Sequence, residues 1–458
     1  MRRAAVLWVV LFGVYASTVG LHATGRSDYA GDEPHYLLTA KSLIEDGDAD
    51  LLNQYRDGAY RSFYPYVLEP HGALTSGHLD EPHGLGFPAL IAPAYAAGGA
   101  KAVEFMLAAI AALAVALAYR LALRVVPDPW ALGAALALGL SPPMVAYSTA
   151  VYPELTVAAL LAGAALMVAR LGDGRPSRRA GLGLFTLLAL VPWLGLRFAP
   201  AAIVVAAYGQ RSLRRARRWL VALFGLEIVA FSIAVYVGVN GRLYGGPSPY
   251  SAAAPGDEGT GAAFPLGYLH RAYRLVALFV DRDYGLLRWA PVLVLAFVGA
   301  WLLLRERRVG LARAIPGLAA EQSAATMCAL AAGAQLVVAA FLAPTMFGTW
   351  FPARHLVAVL PLAAPLVGLG LRRFPRSGVL LAAIGVGASV WLYVAVRAGD
   401  ATLVGDRPRA PFGPLTSLWP LFTKGSVLPF VVAACIGIAM TGAVLAALYP
   451  RAWRRPAG

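Results

Sequence analysis

Charge is scarce in this chain. Of 458 residues, 14% are Asp, Glu, Lys or Arg, where soluble domains carry about 25%. Lysine is nearly missing: among 39 basic residues only Lys41, Lys101 and Lys424 are lysines, and the rest are arginine. The 2 cysteines, Cys328 and Cys435, lie in apolar blocks without metal-like spacing, which supports neither a disulfide framework nor a cysteine zinc site. The chain has no Walker A sequence and no Rossmann glycine pattern, which argues against ATP-driven transport. It shows no internal repeat, which weakens a transporter built from repeated halves.

What fills the sequence is apolar. Hydrophobic residues make up 59%, gathered in blocks of roughly the ~17–25 residues that cross a bilayer, so a soluble globular chain is excluded and a polytopic, all-α membrane protein remains. A net charge of +15 would fit nucleic acid, but the arginines fall in short runs between apolar blocks, as the positive-inside rule requires. No nucleic-acid partner is expected.

Twelve segments are candidate spans: 4–21, 100–118, 130–147, 152–168, 181–196, 198–208, 219–239, 286–304, 323–342, 355–371, 378–396 and 428–449. The first is read as a retained helix, because residues 17–22 make a poor cleavage site. With Arg2 and Arg3 inside, alternate loops carry Arg120/Arg124, Arg170/Arg175/Arg178/Arg179, Arg211/Arg214/Arg215/Arg217/Arg218, Arg305/Arg307/Arg308/Arg313, Arg372/Arg373/Arg376 and Arg451/Arg454/Arg455. Both termini are then cytoplasmic in the inner membrane. The stretch 181–208 must be a hairpin, since a single helix would put its flanking arginine clusters on opposite faces; Pro192 and Pro200 bracket Arg197 at the outer turn. The chain reads as one membrane domain, 1–458, with a large first outer loop at 22–99 and smaller ones at 240–285 and 397–427.

The polar chemistry gathers on the outer side. The first outer loop holds 11 of the 24 acids and 5 of the 7 histidines. Within it Asp32-Glu33-Pro34-His35-Tyr36 precedes a helical pattern, with Leu37, Ala40, Leu43 and Ile44 on one side, which predicts a short helix in the membrane interface. Pro34 suits the first helical position, placing Glu33 at the cap and Asp32 before it. Two readings stand: acids that cap a surface helix, or an ionised general base favoured by the helix dipole. The stretch 84–99, broken by Pro88, Pro93 and four glycines, predicts an interfacial or re-entrant piece, with His78 and His83 at its entrance as polar anchors or as phosphate or metal contacts. Glu154 opens the fourth span, either capping it or serving the site. Arg282 and Arg288 enter the eighth span and Arg354-His355 the tenth, as lipid anchors or phosphate ligands. Glu104 and Glu227 lie inside predicted spans and receive no role.

Taken together, these motifs resemble the GT-C superfamily of membrane glycosyltransferases, in the branch of protein O-mannosyltransferases and aminoarabinose transferases that use polyprenyl-phosphate sugars. Gly31-Asp32-Glu33-Pro34-His35-Tyr36, followed by Leu43 and Gly47-Asp48, is similar to that family's acidic motif before an in-plane helix. Pro82-His83-Gly84-Leu85-Gly86-Phe87-Pro88 resembles its second loop helix near the lipid phosphate, although the lysine found there in some relatives is absent. Glu154 resembles a second acid at the fourth span, and residues 347–356 the late element that holds the donor phosphate. The resemblance implies a fold of about 12 transmembrane segments and inverting transfer from a polyprenyl-phosphate sugar to a hydroxyl of a cell-envelope glycan, lipid or protein. It implies Asp32 as base with Glu33 beside it, Arg354, His83, Arg197 and Arg282 at the phosphate, and His35, Tyr36 and His355 positioning acceptor or substrate. It implies no nucleotide and no resident cofactor; a divalent metal at Asp28, Asp32, His35 and His83 stays open. The alternative reading is a lipid-linked sugar transporter.

Overall fold

Proline, glycine and the apolar blocks between them set the helix boundaries of this protein. The computed structural model describes residues 2–75, 77–171, 177–252, 266–308, 316–404, 418–422 and 427–448. Arg175, Arg313, Arg451, Arg454, Arg455 and parts of the outer loops at 240–285 and 397–427 lie outside the described residues.

Helix α1 (Arg2–Ala16) leads into the first outer loop, which holds α2 (Glu33–Glu45), α3 (Leu52–Arg56) and a small antiparallel pair, β1 (Leu74–Thr75) and β2 (His78–Leu79), with Leu74 opposite Leu79. Then come α4 (Gly86–Ala122), α5 (Trp130–Gly139), α6 (Pro142–Tyr147), α7 (Glu154–Leu171), α8 (Arg178–Leu194), α9 (Ala199–Arg215) and α10 (Trp219–Leu243). Short helices α11 (Leu266–His270), α12 (Arg274–Val280) and α13 (Leu286–Trp289) precede α14 (Val294–Arg308), α15 (Pro316–Val337), α16 (Arg354–Val357), α17 (Ala364–Arg373), α18 (Pro375–Arg397) and α19 (Val427–Leu448).

Each of the twelve expected segments contains helix, but among the described residues five helices are long and apolar enough to cross a membrane: Gly86–Ala122, Glu154–Leu171, Trp219–Leu243, Ala320–Leu342 and Pro375–Arg397. Others are interrupted. Ser141-Pro142 splits the third segment, Ala290-Pro291 the eighth, and Pro361 and Pro365 start new turns in the tenth. Broken backbone is tolerated at membrane depth where protein buries it. The protein is thus an integral membrane protein, and the figure of twelve is not carried over as a count of crossings.

The core is built around α4, which packs on α1, α2, α5 and α7. Ala108, Ala111, Ala112 and Ala114 are fully buried there, small side chains that let helix backbones approach closely. Facing outward, α10 exposes Phe224 and Phe231 and α18 exposes Val379, Leu380 and Val390, apolar surface suited to lipid tails. The expected hairpin at 181–208 is present: α8 and α9 pack together and turn at residues 195–198. Pro192 sits inside α8 without ending it. Arg3 Nη1 reaches Asp128 Oδ2 at 2.7 Å, and Arg397 Nη2 reaches the Ser17 carbonyl at 2.7 Å, so each end of α1 meets the loops that charge alternation puts on its side.

In the outer loop, every residue of α2 from Glu33 to Ala40 is buried, so protein covers the start of this helix on all sides. The stretch expected as an interfacial or re-entrant piece is helical from Gly86, and it joins the following span across a break at Gly98 and Gly99, where Gly99 has φ +64°. That left-handed conformation is available to glycine without steric cost.

Candidate active site

The turn before α2 depends on Gly31, which has φ +59°. A Cβ there would meet Tyr152 Oη at 2.7 Å and the Thr349 carbonyl at 3.0 Å, so glycine allows three distant segments to meet. Asp32 follows at the N-cap position, yet its side chain makes no capping hydrogen bond. Arg354 Nη2 donates to Asp32 Oδ2 at 2.5 Å instead.

The same guanidinium donates through Nε to Glu154 Oε1 at 3.0 Å, and Arg197 Nη2 donates to that oxygen at 2.8 Å. Two carboxylates and two guanidinium groups therefore alternate, which is what allows such charges to be held away from water. The Arg354 guanidinium lies against the rings of Tyr152 and Trp350, 4.1 and 4.8 Å from their centroids. Its backbone is also special: Ala353, just before it, has φ +77°. Glu154 is fully buried, and among the described residues its Oε2 and the Nε of Arg197 have no hydrogen-bond partner.

Asp32, Tyr36, His83, Arg197, Arg354 and His355 line one cavity of about 520 Å³. Its other walls come from the α8–α9 turn, from Tyr236 and Asn240 of α10, and from residues 344–350. Burial would raise the Asp32 pKa, but the facing Arg354 charge overrides burial and holds the carboxyl well below the usual range. Burial pulls His83 down to about 4, so at neutral pH it is an uncharged hydrogen-bonding group. His355 Nε2 donates to the Thr345 carbonyl at 3.0 Å.

Other expected site residues stand apart. Glu33 does not line this cavity. Its two oxygens accept backbone N–H groups, Ala30 at 2.8 Å and Val151 at 2.7 Å, and burial pushes its pKa up to about 8. It anchors the start of α2 to the turn before α7. Arg282 is likewise away from the cavity: its backbone N–H donates to Pro420 O at 2.8 Å and its Nε to Trp419 O at 3.2 Å. His35 turns away toward Tyr55 Oη at 2.6 Å and Glu81 Oε1 at 3.2 Å.

The metal group left open at Asp28, Asp32, His35 and His83 does not assemble, because Asp28 pairs with Lys101 at 2.5 Å and His22 at 2.6 Å while Asp32 faces Arg354. A different set gathers, His35, His71, Glu81 and His83. His78 lies outside it, paired with Asp50 at 2.9 Å. Glu104 accepts from Tyr29 Oη at 2.6 Å and Gly20 N at 2.8 Å and holds the end of α1. The sequence reading missed His71, Glu81 and the stacking partners Tyr152 and Trp350. The crowding of histidines in the first outer loop was the signal for the first two.

No protein-family model and no curated protein matches the chain. Solved structures do. ArnT from Cupriavidus metallidurans in the apo state superimposes with a TM-score of 0.53 at 16% identity, over 95% of this chain and 76% of that one. The same protein bound to undecaprenyl phosphate gives a TM-score of 0.50 at 15% identity, over 98% and 72%. The likeness is one of fold: this chain shares the fold of ArnT over most of its length.

Proposed function

We propose that the protein is an inverting glycosyltransferase that moves a sugar from a polyprenyl-phosphate donor to a hydroxyl of a cell-envelope acceptor, at the outer face of the cytoplasmic membrane. One observation carries this reading: Asp32, Arg354 and Arg197 open onto a single cavity of about 520 Å³ at the ends of apolar helices. The shared fold with a protein whose structure holds undecaprenyl phosphate supports the donor class. So does α10, which lines the cavity with Tyr236 and Asn240 and exposes Phe224 and Phe231 along its length.

The chemistry follows from the charges. A donor phosphate competes with Asp32 for the Arg354 fork, and guanidinium binds phosphate through paired N–H groups. Once Arg354 turns to the phosphate, the carboxyl of Asp32 regains basicity and accepts a proton from the acceptor hydroxyl. That oxygen attacks the anomeric carbon in line, the bond from this carbon to the phosphate oxygen breaks, and its electron pair leaves on the phosphate beside Arg354 and Arg197. Attack opposite the leaving group inverts the anomeric centre. Glu154 holds the two arginines at a fixed separation, and His83 and Tyr36 bound the space for the sugar.

The test is incubation of the purified, detergent-solubilised protein with a panel of radiolabelled polyprenyl-phosphate sugars and crude envelope acceptors, beside Asp32→Asn. Transfer is expected with at least one donor, and the variant should lose roughly 100-fold or more while remaining folded. Near-normal transfer by the variant would remove Asp32 as the base. Tight donor binding without any transfer would favour a lipid-linked sugar transporter.

A further inference from the structure

Behind His83, four potential metal ligands converge from separate parts of the first outer loop. His35 comes from α2, His71 precedes the β1–β2 pair, and Glu81 and His83 follow it. One ligand atom from each lies within 4.8 Å of every other. His71 Nδ1 is 3.0 Å from His83 Nε2, and His83 Nε2 is 3.7 Å from Glu81 Oε2. A tetrahedral ion with bonds of about 2.1 Å sets its ligand atoms about 3.4 Å apart, so these spacings suit such an ion with small adjustment.

Two details favour an ion over a closed hydrogen-bond network. Glu81 is 4% exposed, and among the described residues its Oε2 accepts no hydrogen bond. A buried carboxylate oxygen with no donor is costly, and a cation would satisfy it. The opposite oxygen, Oε1, is held by Tyr55 Oη at 2.5 Å and by the backbone N–H of His71 at 3.2 Å, the kind of outer support that orients metal-binding carboxylates. Three imidazoles and one carboxylate form a nitrogen-rich, borderline donor set suited to zinc and poorly matched to calcium or magnesium.

We infer that His35, His71, Glu81 and His83 bind one divalent transition-metal ion of the zinc class, which ties the stretch 71–83 to α2. His83 is both a ligand of this ion and a wall of the cavity, so the ion fixes that wall. Asp32 is not among its ligands and stays with Arg354. The site is independent of the glycosyltransferase reading and stands or falls without a sugar-transfer assay.

The experiment strips the purified full chain with EDTA, re-equilibrates it separately with zinc chloride and cobalt chloride, and counts bound metal by mass spectrometry. The expected result is one zinc per chain, intense visible bands from four-coordinate cobalt, and a higher thermal midpoint with metal. His71→Ala combined with Glu81→Gln should weaken zinc binding roughly tenfold or more and abolish the cobalt bands, whereas His78→Ala should leave both unchanged. Absence of stoichiometric metal in the wild-type chain would overturn the site, whatever the variants do. Uptake unaltered by the double substitution would overturn it as well.

Discussion

Arg354 donates to Asp32 across 2.5 Å although 322 positions separate them in the chain. The contact changes what each residue is: Asp32 is kept ionised, and the charge of Arg354 is neutralised until a stronger anion arrives. Because Glu154 shares the same guanidinium, Arg354 is the centre of an ion cluster as well as a candidate phosphate ligand.

Removing that centre strands Asp32 and leaves Glu154 with Arg197 alone. Arg354→Ala should cost about 3–5 kcal/mol, since an unpaired buried charge is far costlier than a missing pair. Arg354→Lys keeps the charge but cannot reproduce the fork, so it should fold with an intermediate midpoint and bind polyprenyl phosphate roughly tenfold more weakly or worse. Thermal unfolding and phosphate-lipid titration read the two effects separately. An Arg354→Ala chain as stable as wild type would show that the cluster does not hold the fold.

The two neighbouring acids respond oppositely to pH. Asp32 is lowered, so its contribution is present above the ordinary carboxylate pKa and is lost only in strong acid; it is constant between pH 5 and pH 9. Glu33 is raised from 4.5 to about 8, so it contributes fully below pH 4.5 and loses that contribution as pH rises toward 8. The Glu33 contribution should therefore fall between pH 5 and pH 9 by a free energy on the order of a few kcal/mol, and it is read as the difference between wild type and a Glu33 variant, because the lowered pKa of His83 adds stability as pH rises toward 6.5. Glu33→Gln, which forfeits one of the two backbone hydrogen bonds, should be less stable at pH 5 and converge on wild type near pH 9. Parallel curves for the two chains would show that Glu33 does not titrate in this range.

Gly31 offers a steric test of how the site is assembled. Gly31→Ala forces a side chain into φ +59° and against Tyr152 Oη and the Thr349 carbonyl. A loss of about 1–3 kcal/mol is expected, together with weaker donor binding, as the turn carrying Asp32 moves from Arg354. Unchanged stability would mean that the close approach is readily relieved.

Ala353 presents the reverse case. Its φ of +77° is a conformation that glycine adopts freely, so Ala353→Gly should gain roughly 1 kcal/mol while Ala353→Val, β-branched at the same position, should lose more than that. Midpoints ordered Gly, Ala, Val from high to low would confirm the strain; equal midpoints would refute it.

The sequence reading reached the membrane class and the helical hairpin around Arg197, because these rest on charge alternation and proline position; it named Asp32, Glu154, Arg197 and Arg354 as separate candidates and not the ion pairs that join them. It misplaced the cap by one residue and set Glu33 beside the base Asp32 at the site. Adjacent side chains at a helix start point in different directions, and only the tertiary contacts reveal that one meets Arg354 while the other meets the backbone of Ala30 and Val151. Arg282 resembled a phosphate ligand for the same reason: an interfacial arginine looks alike whether it faces a substrate or the carbonyl of Trp419. The ligand set at His71 and Glu81 was hidden because the β1–β2 pair folds distant positions together, and no helical period announces that.

The spacing along the chain also imposes an order of assembly. Glu154 and Arg197 are 43 positions apart and meet through the loop-and-hairpin region that ends in α9, so they pair early as the chain is inserted. Arg354 lies 200 positions beyond Glu154. Until it arrives, Asp32 lacks its counter-charge, while Glu33 already ties the start of α2 to the backbone of Ala30 and Val151. The Asp32–Arg354 pair can close only once the tenth segment has joined the bundle, so the cluster is completed late in assembly.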